Sequence, residues 1–518
     1  MKFRDHNYQQ LPAKQEQIDA VDYPVTVSPS RKRPNVKILS RLVIITLGLT
    51  VLITTFSKLS SRLLGSPELT EDELVSHYLN TLQTNLAANW SYAYSRDNQL
   101  AGTNLKMVKW AQSQYQSFGL DSEIDEYTAL VSYPIDQSIS LLGTNITRNG
   151  SYSKVIYKPS LKEDIIKEDP TSKLQVPAFL GYAKSGNVTA QFIYANYGTK
   201  KDFEKLVELG VPLKGKIAII RYGAIFRGLK IKFAQDHGIA AVLLYSDPYD
   251  DGEIVPQNGY KTYPNGFARN PSAIQRGSAQ FLSFGPGDPS TPGYAIKPGE
   301  EEKHGINRTD PSFSIPSIPA LPISYREVTP ILKTLNGYGA QIPEWQDNHG
   351  LIENFDYSVG PNPNFTLNLY NKQDFNVTTM YNILTKVEGH NKDDVIIIGN
   401  HHDSWVPAAG DPHSGSAVVM ELGRALGELV KLGWKPKRSI WLASWDGEEY
   451  GLIGSTEFGE YHADFLQKKV VAYLNLDVAT IGGNLKMNAS PLLYSLLRDV
   501  ADKLELYSVF RSFRNSES

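Results

Sequence analysis

The sequence predicts an α/β fold with a mainly parallel sheet, interrupted by a separate, loop-rich domain. Three observations carry this expectation. "DVIIIGNHHD", "SIWLASWD" and "VVAYLNLDVA" are continuous apolar runs, each closing on acidic or imidazole side chains. Such runs read as strands buried on both faces, as in parallel sheets covered by helices. "SGSAVVMELGRALGELVKLG", between the first two, has the spacing of an amphipathic helix ended by Gly433. Between about Asp136 and Asn376 the texture changes, with short apolar strands set between Pro/Gly turns.

Taken in order, residues 1–40 are polar and Pro-containing, and read as a flexible cytosolic tail. Leu42 to Phe56 is a charge-free apolar run bounded by Arg41 and Lys58. It is short for a hydrocarbon core of roughly 30 Å, but snorkelling of the two flanking cations lets it span a thinner membrane. Residues 41–64 are therefore expected to form a transmembrane signal anchor. Arg31, Lys32, Arg33, Lys37 and Arg41 precede the run, and only Lys58 and Arg62 follow it closely. The positive-inside rule then makes the chain a single-pass type II membrane protein, its N-terminus cytosolic and its bulk lumenal or extracellular. The N-x-S/T sequons at Asn89, Asn145, Asn149, Asn187, Asn307, Asn364, Asn376 and Asn488 all follow the run, in agreement with that topology.

Residues 66–135 form the first segment of the core domain. Helical periodicity is seen in Leu74, Tyr78 and Leu82, and again in Met107, Trp110, Ala111 and Tyr115; a helix ends at Gly119 and an extended strand follows. Residues 136–376 form the interrupting domain. Its strands lie in "AQFIYANYG", "GKIAIIRYG" and "AAVLLYSDP", with a helix in "LKIKFAQDHG" closed by Gly238. Residues 377–518 return to the core.

The chain has 518 residues and no cysteine, so it has neither disulfides nor thiolate metal ligands. Its net charge of -3 gives no footing for nucleic acid as a partner. Chemistry must come from the strand ends. They supply His401, His402, Asp403, Asp411, Asp446, Glu448, Glu449 and Asp477. One such carboxylate commonly caps a helix, and one such histidine is commonly structural. Three strands delivering them to one edge create mutual repulsion that a divalent cation relieves, and the His/Asp/Glu mixture suits zinc.

"GNHHDSWVPAAGDPHSG", "SWDGEEYGLIGSTEFGE" and "AYLNLD" resemble the zinc-binding segments of the glutamate carboxypeptidase II and transferrin receptor-like family of zinc exopeptidases. The resemblance extends from about Glu68 to Lys503. "GKIAIIRYGAIFRGLKIKFAQ", "LYSDP", "QRG" and "GDPSTPGY" are similar to segments of the family's protease-associated apical domain. It implies a zinc-exopeptidase core holding two zinc ions and acting on peptide substrates. By this resemblance His401 and Asp477 bind one zinc, Glu449 binds the other and Asp411 bridges them. Glu448 is the general base, and Glu457 and Glu460 are acidic ligands of calcium. The transferrin receptor shares the fold without the metal ligands, so the retained residues match the catalytic branch, with a receptor or sorting protein as the alternative.

Two departures qualify what the resemblance implies. A second zinc-binding histidine and a helical dimerisation domain follow in the family beyond the last matched segment, so the expectation here is a truncated core with one incomplete zinc site. Homodimers are usual in the family, but the main interface is that same domain. The glutamate-selective enzyme also grips its substrate with an arginine and an asparagine, where this chain has Thr199 and Ala268.

Overall fold

In the computed structural model, residues 69–147, 150–346, 350–480 and 487–503 are described. The expected tail and signal anchor lie outside them. Among the described residues no helix is long and apolar enough to cross a membrane.

Three helices lead: α1 (Glu71–Gln83), α2 (Ala87–Ser95) and α3 (Leu105–Ser117). Thr70 and Glu73 open α1 reciprocally, each side chain accepting from the other's backbone N–H. α3 turns Met107, Val108, Ala111 and Tyr115 inward, which is the face its periodicity predicts. The chain then extends through β1 (Asp121–Thr147), paired antiparallel with β2 (Gly150–Tyr157).

After the short β3 (Gly186–Ala190) comes a smaller α/β unit. β4 (Phe192–Tyr194), α4 (Lys200–Glu208), β5 (Ile217–Arg221), α5 (Arg227–Asp236), β6 (Ala241–Tyr245) and β7 (Ala320–Ile323) follow in sequence. The four strands pair in parallel in the order β4-β5-β6-β7. Every residue of β5 and β6 is buried, as continuous apolar runs require.

Back in the core come β8 (Phe365–Val387), β9 (Asn391–His401), α6 (His413–Lys431), β10 (Arg438–Trp445), α7 (Glu448–Gly451), α8 (Ile453–Tyr461), α9 (Ala463–Lys469) and β11 (Val470–Asn475). The larger sheet has seven strands in the order β11-β9-β10-β8-β1-β2, with β3 also paired to β8. β9 is parallel to β10 and to β11, but the β10–β8, β8–β1, β1–β2 and β8–β3 pairs are antiparallel. The sheet is thus mixed, which corrects the expectation of a mainly parallel one. The parallel part consists of the three continuous apolar runs. The antiparallel part comes from β1 and β8, 27 and 23 residues long, which pair from Asp121↔Lys386 to Gly143↔Phe365. Their apolar residues alternate with polar ones, so no continuous run announces them. Both strands run through the positions at which the interrupting domain was expected to begin and end.

Side chains from the two faces of β8 enter different cores. Ile383 packs with Met107, Tyr115, Met420 and Leu442 beneath α3 and α6. Leu384 packs with Val395, Ile397, Trp445 and Phe458 beneath α8. Each fully buried aliphatic side chain contributes about 1.5–3 kcal/mol, which holds β9 and β10 from both sides. β11, at the edge of the sheet, has no fully buried residue and leaves Val471 and Tyr473 exposed, which corrects the expectation that its apolar run is buried on both faces.

Candidate metal centre

Because β9, β10 and β11 point the same way, their carboxyl ends share one edge, where ligands of open α/β sheets gather. β9 ends on His401, β10 runs into Asp446, Gly447 and Glu448, and β11 runs into Leu476 and Asp477. Gly447, at φ +70°, makes the left-handed turn from β10 into α7. Gly415 lets the start of α6 reach the end of β11: a Cβ there would lie 1.7 Å from the Leu476 carbonyl oxygen and 2.1 Å from that of Asp477. Asn400 ties the same joint, its Nδ2 donating to the Leu476 carbonyl at 3.0 Å while its Oδ1 accepts from Ser416.

These supports bring the side chains together. His401 Nε2 lies 3.0 Å from Asp477 Oδ1, 3.4 Å from Asp411 Oδ1 and 3.7 Å from Glu448 Oε2. Among the described residues, His401, Glu448 and Asp477 form a trio whose donor atoms all lie within 4.8 Å of one another. Zinc bonds of 2.0–2.2 Å place tetrahedral ligand atoms about 3.4 Å apart; the distances from His401 Nε2 to Asp477 and to Asp411 are near that spacing, and imidazole with carboxylates is a donor set that suits zinc. Asp411 precedes Pro412 through a cis bond at the entry to α6 and keeps its side chain 61% exposed. Glu449 stands apart from the trio, and its Oε2 accepts from Trp405 Nε1 at 2.7 Å.

Three supporting residues escaped role assignment at the level of sequence. Asp403 was counted among the strand-end acids, yet its function lies in what it holds. Its Oδ1 accepts from Glu448 N–H at 2.9 Å and its Oδ2 from Glu449 N–H at 3.3 Å. His401 Nδ1 lies 3.1 Å from the Asp403 carbonyl oxygen, which leaves Nε2 to face the carboxylates. Asp446 is fully buried and accepts from the backbone N–H groups of Gly102, Tyr381 and Gly447 and from Asn104 Nδ2. Trp405, packed against Phe179 and Tyr450, went unnoticed; its place directly after the acidic cluster was the available signal.

Charge explains the proton affinities. Burial pushes the Glu448 carboxyl up to about 7; Asp403, Asp477 and Asp411 add to the rise and His401 opposes it. Burial, with Asp411 close by, holds Glu449 well above the ordinary carboxylate range. Burial disfavours an imidazolium at His401, but hydrogen bonding to Asp403, Asp411 and Asp477 overrides it and raises that side chain well above its ordinary value. By contrast, burial pushes His402 down to about 3 and His413 to about 4, so both stay neutral.

A second acidic group lies on α8. Glu457 is fully buried, and its Oε1 accepts from Asp288 N–H at 3.0 Å. Glu460 Oε1 accepts from Gly293 N–H at 2.9 Å. The other oxygen of each, Oε2, is buried without a hydrogen-bond partner among the described residues. Burial, with Asp288 and Glu460 nearby, pushes Glu457 up to about 8. Such oxygens suit a hard cation.

Neither position that departs from the glutamate-selective pattern offers a cation. Thr199 exchanges hydrogen bonds with Asp202 as the cap of α4, and Ala268 is buried.

Comparison with known proteins finds matches to two domain families and to peptidases. Residues 382–511 match Peptidase family M28 and residues 177–280 match the PA domain. The "Probable glutamate carboxypeptidase" of Arthroderma benhamiae is 42% identical over 453 residues, covering 86% of this chain and 60% of that protein. "Vacuolar protein sorting-associated protein 70" of Saccharomyces cerevisiae is 37% identical, covering 85% and 53%. "Aminopeptidase NAALADL1" of Rattus norvegicus is 35% identical, covering 78% and 53%. The chain thus spans between half and three-fifths of the length of these relatives.

Proposed function

We propose that this chain, which carries Peptidase family M28 and PA domains, is a zinc-dependent exopeptidase acting on peptides. The observation that carries the reading is the convergence of His401, Asp477, Asp411 and Glu448 at the carboxyl edge of three parallel strands. Its relatives are named as carboxypeptidases and as an aminopeptidase, which leaves open the end of the peptide that is cleaved.

His401 and Asp477 would hold one zinc and Glu449 a second, with Asp411 shared between them. Zinc bound there supplies Lewis acidity to a peptide carbonyl and to the attacking water. The protein's own part falls to Glu448. Its backbone N–H is anchored on Asp403, so the carboxylate stands in a set place beside His401. As general base it takes a proton from the attacking water and passes it to the departing amine. Glu457 and Glu460 would hold calcium through the oxygens left without partners.

The apolar run at 42–56 and the sequons support a membrane-anchored glycoprotein with its bulk outside the cytosol. All six sequon asparagines whose burial is described (Asn89, Asn187, Asn307, Asn364, Asn376 and Asn488) are exposed to solvent. Glycosidase-sensitive mobility on gels tests that topology.

A second reading, a sorting protein without catalysis, draws on the yeast relative's name. Zinc content and peptidase assay of the full chain, with Glu448→Gln beside it, separate the two. Bound zinc with activity lost in the variant supports the enzyme; equal, background-level turnover in both chains supports the sorting protein.

A further inference from the structure

We infer that the cavity bordering the loop between His401 and Asp411 receives an apolar side chain of the peptide and turns away an acidic one. The inference rests on the peptidase reading above and adds a substrate preference to it. The cavity encloses about 400 Å³, which is enough for one large side chain together with adjoining backbone.

Continuity with the metal centre comes from one wall. Val406 and Pro407 form it, and they follow Trp405, whose indole N–H is bonded to Glu449. The loop that sets Trp405 against Glu449 therefore also borders the cavity. Two aromatic residues also line the cavity. Phe267 leaves 94% of its surface in water and Tyr263 leaves 50%. Ile166 and Leu174 also line the space. A phenyl ring held so far into solvent beside a cavity is an unburied contact surface, and an apolar ligand group would cover it.

Charge decides which side chain fits. Both lining arginines are already engaged. Arg269 makes a bidentate pair with Asp251 at 2.7 and 2.6 Å. Arg276 pairs with Glu163 at 3.1 Å and also donates to the Pro177 and Ile274 carbonyls. Against these two paired cations the lining sets three carboxylates, Glu163, Asp164 and Asp169, which repel an entering one. The oxygens of Asp169 accept from Thr171 and Tyr263. An apolar side chain disturbs none of this, and rejection of a charge by already paired groups is a strong discriminator.

The test is equilibrium binding to the full chain carrying Glu448→Gln, which removes turnover. The probes are N-acetylated dipeptides that differ only in leucine or glutamate, with the variable residue placed first or second. In one of these placements the leucine peptide is expected to bind about tenfold tighter than its glutamate counterpart. Phe267→Ser should erase that preference by weakening only the leucine peptide. Because Phe267 is exposed, this variant is expected to fold as the parent does, and Val406→Asp gives a second, independent reduction. Equal or tighter binding of glutamate, binding of neither peptide, or indifference to both substitutions would overturn the inference. Zinc titration and wild-type hydrolysis run alongside: their failure removes the peptidase reading, while peptide binding still reports on the cavity.

Discussion

At the carboxyl edge of the larger sheet, β9, β10 and β11 lead to His401, Asp446 and Asp477; at that of the smaller sheet, β5 and β6 lead to Arg221 and Asp247. Both edges are built from parallel strands with apolar centres, and both carry charged groups. Their partners differ. Asp247 is satisfied by the N–H groups of Tyr249 and Leu351 and by the Tyr357 hydroxyl. The Arg221 guanidinium lies over the Tyr197 ring at 3.8 Å, and Lys230 Nζ donates to the Tyr197 and Gly223 carbonyls. In the larger sheet, three carboxylates lie within 3.7 Å of one imidazole nitrogen, so a single histidine faces three acidic groups. A charged residue at a strand end thus marks a site only where the fold leaves its charge uncompensated. Where the fold pairs it, the residue is architecture.

Glu448→Gln should break the larger edge most severely. Hydrolysis is expected to fall by about 10²–10⁴-fold with zinc content unchanged; a variant retaining a third or more of its kcat would remove Glu448 as the base. Next comes Gly415→Ala. Its Cβ would overlap the Leu476 and Asp477 carbonyls, so it should cost about 1–3 kcal/mol of stability by urea unfolding and weaken zinc binding as well. Gly228→Ala, whose Cβ would lie 2.0 Å from the Gln280 carbonyl in the smaller unit, should cost similar stability and spare zinc. If both variants lost zinc equally, the two edges would not be independent.

Asp403→Asn keeps the shape but presents an amide where two N–H groups need acceptors. Zinc affinity should drop by about 10–100-fold, as measured by competition with a chelating dye; an unchanged dissociation constant would mean that Glu448 and Glu449 are positioned without it. The counterpart, Asp247→Asn, should lower stability by about 1–3 kcal/mol and leave zinc untouched.

The smallest effect concerns pH. The folded chain holds the Glu457 carboxyl at about 8, above its ordinary 4.5. A group raised on folding contributes its stability in full below the unfolded value and loses it as pH rises through the folded one. Tm should therefore fall between about pH 5 and about pH 8, and Glu457→Gln should flatten part of that fall. Calcium added at the upper end should restore Tm in the wild type and not in the variant. A fall that is identical in both chains would assign the pH dependence elsewhere.

Much of the core was legible in advance. The strands β9, β10 and β11, the helix α6 ending before Gly433, and α5 ending before Gly238 all lie where continuous apolarity and 3.6-residue spacing place them. The strand-end acids were legible for the same reason. β1 and β8 were not recognised as one long antiparallel ribbon, because their apolar residues are interspersed with polar ones and reveal no pairing until the partner strand is known. Trp405 and Asp403 could not be given roles, since hydrogen bonds to Glu449 and to the N–H groups of α7 depend on segments more than forty residues away.

By itself, the sequence determined where the apolar strands β9, β10 and β11 and the helices α5 and α6 lie and which chemical groups stand at their ends, because apolar periodicity and chain termination are properties of neighbouring residues. Tertiary structure alone decided the order β11-β9-β10-β8-β1-β2 and the mixed sense of the sheet. It also decided that His401 meets Asp477 across 76 residues of chain. The physical reason is that pairing, register and the close approach permitted at Gly415 depend on backbone groups brought together from distant positions, and no local pattern encodes that meeting.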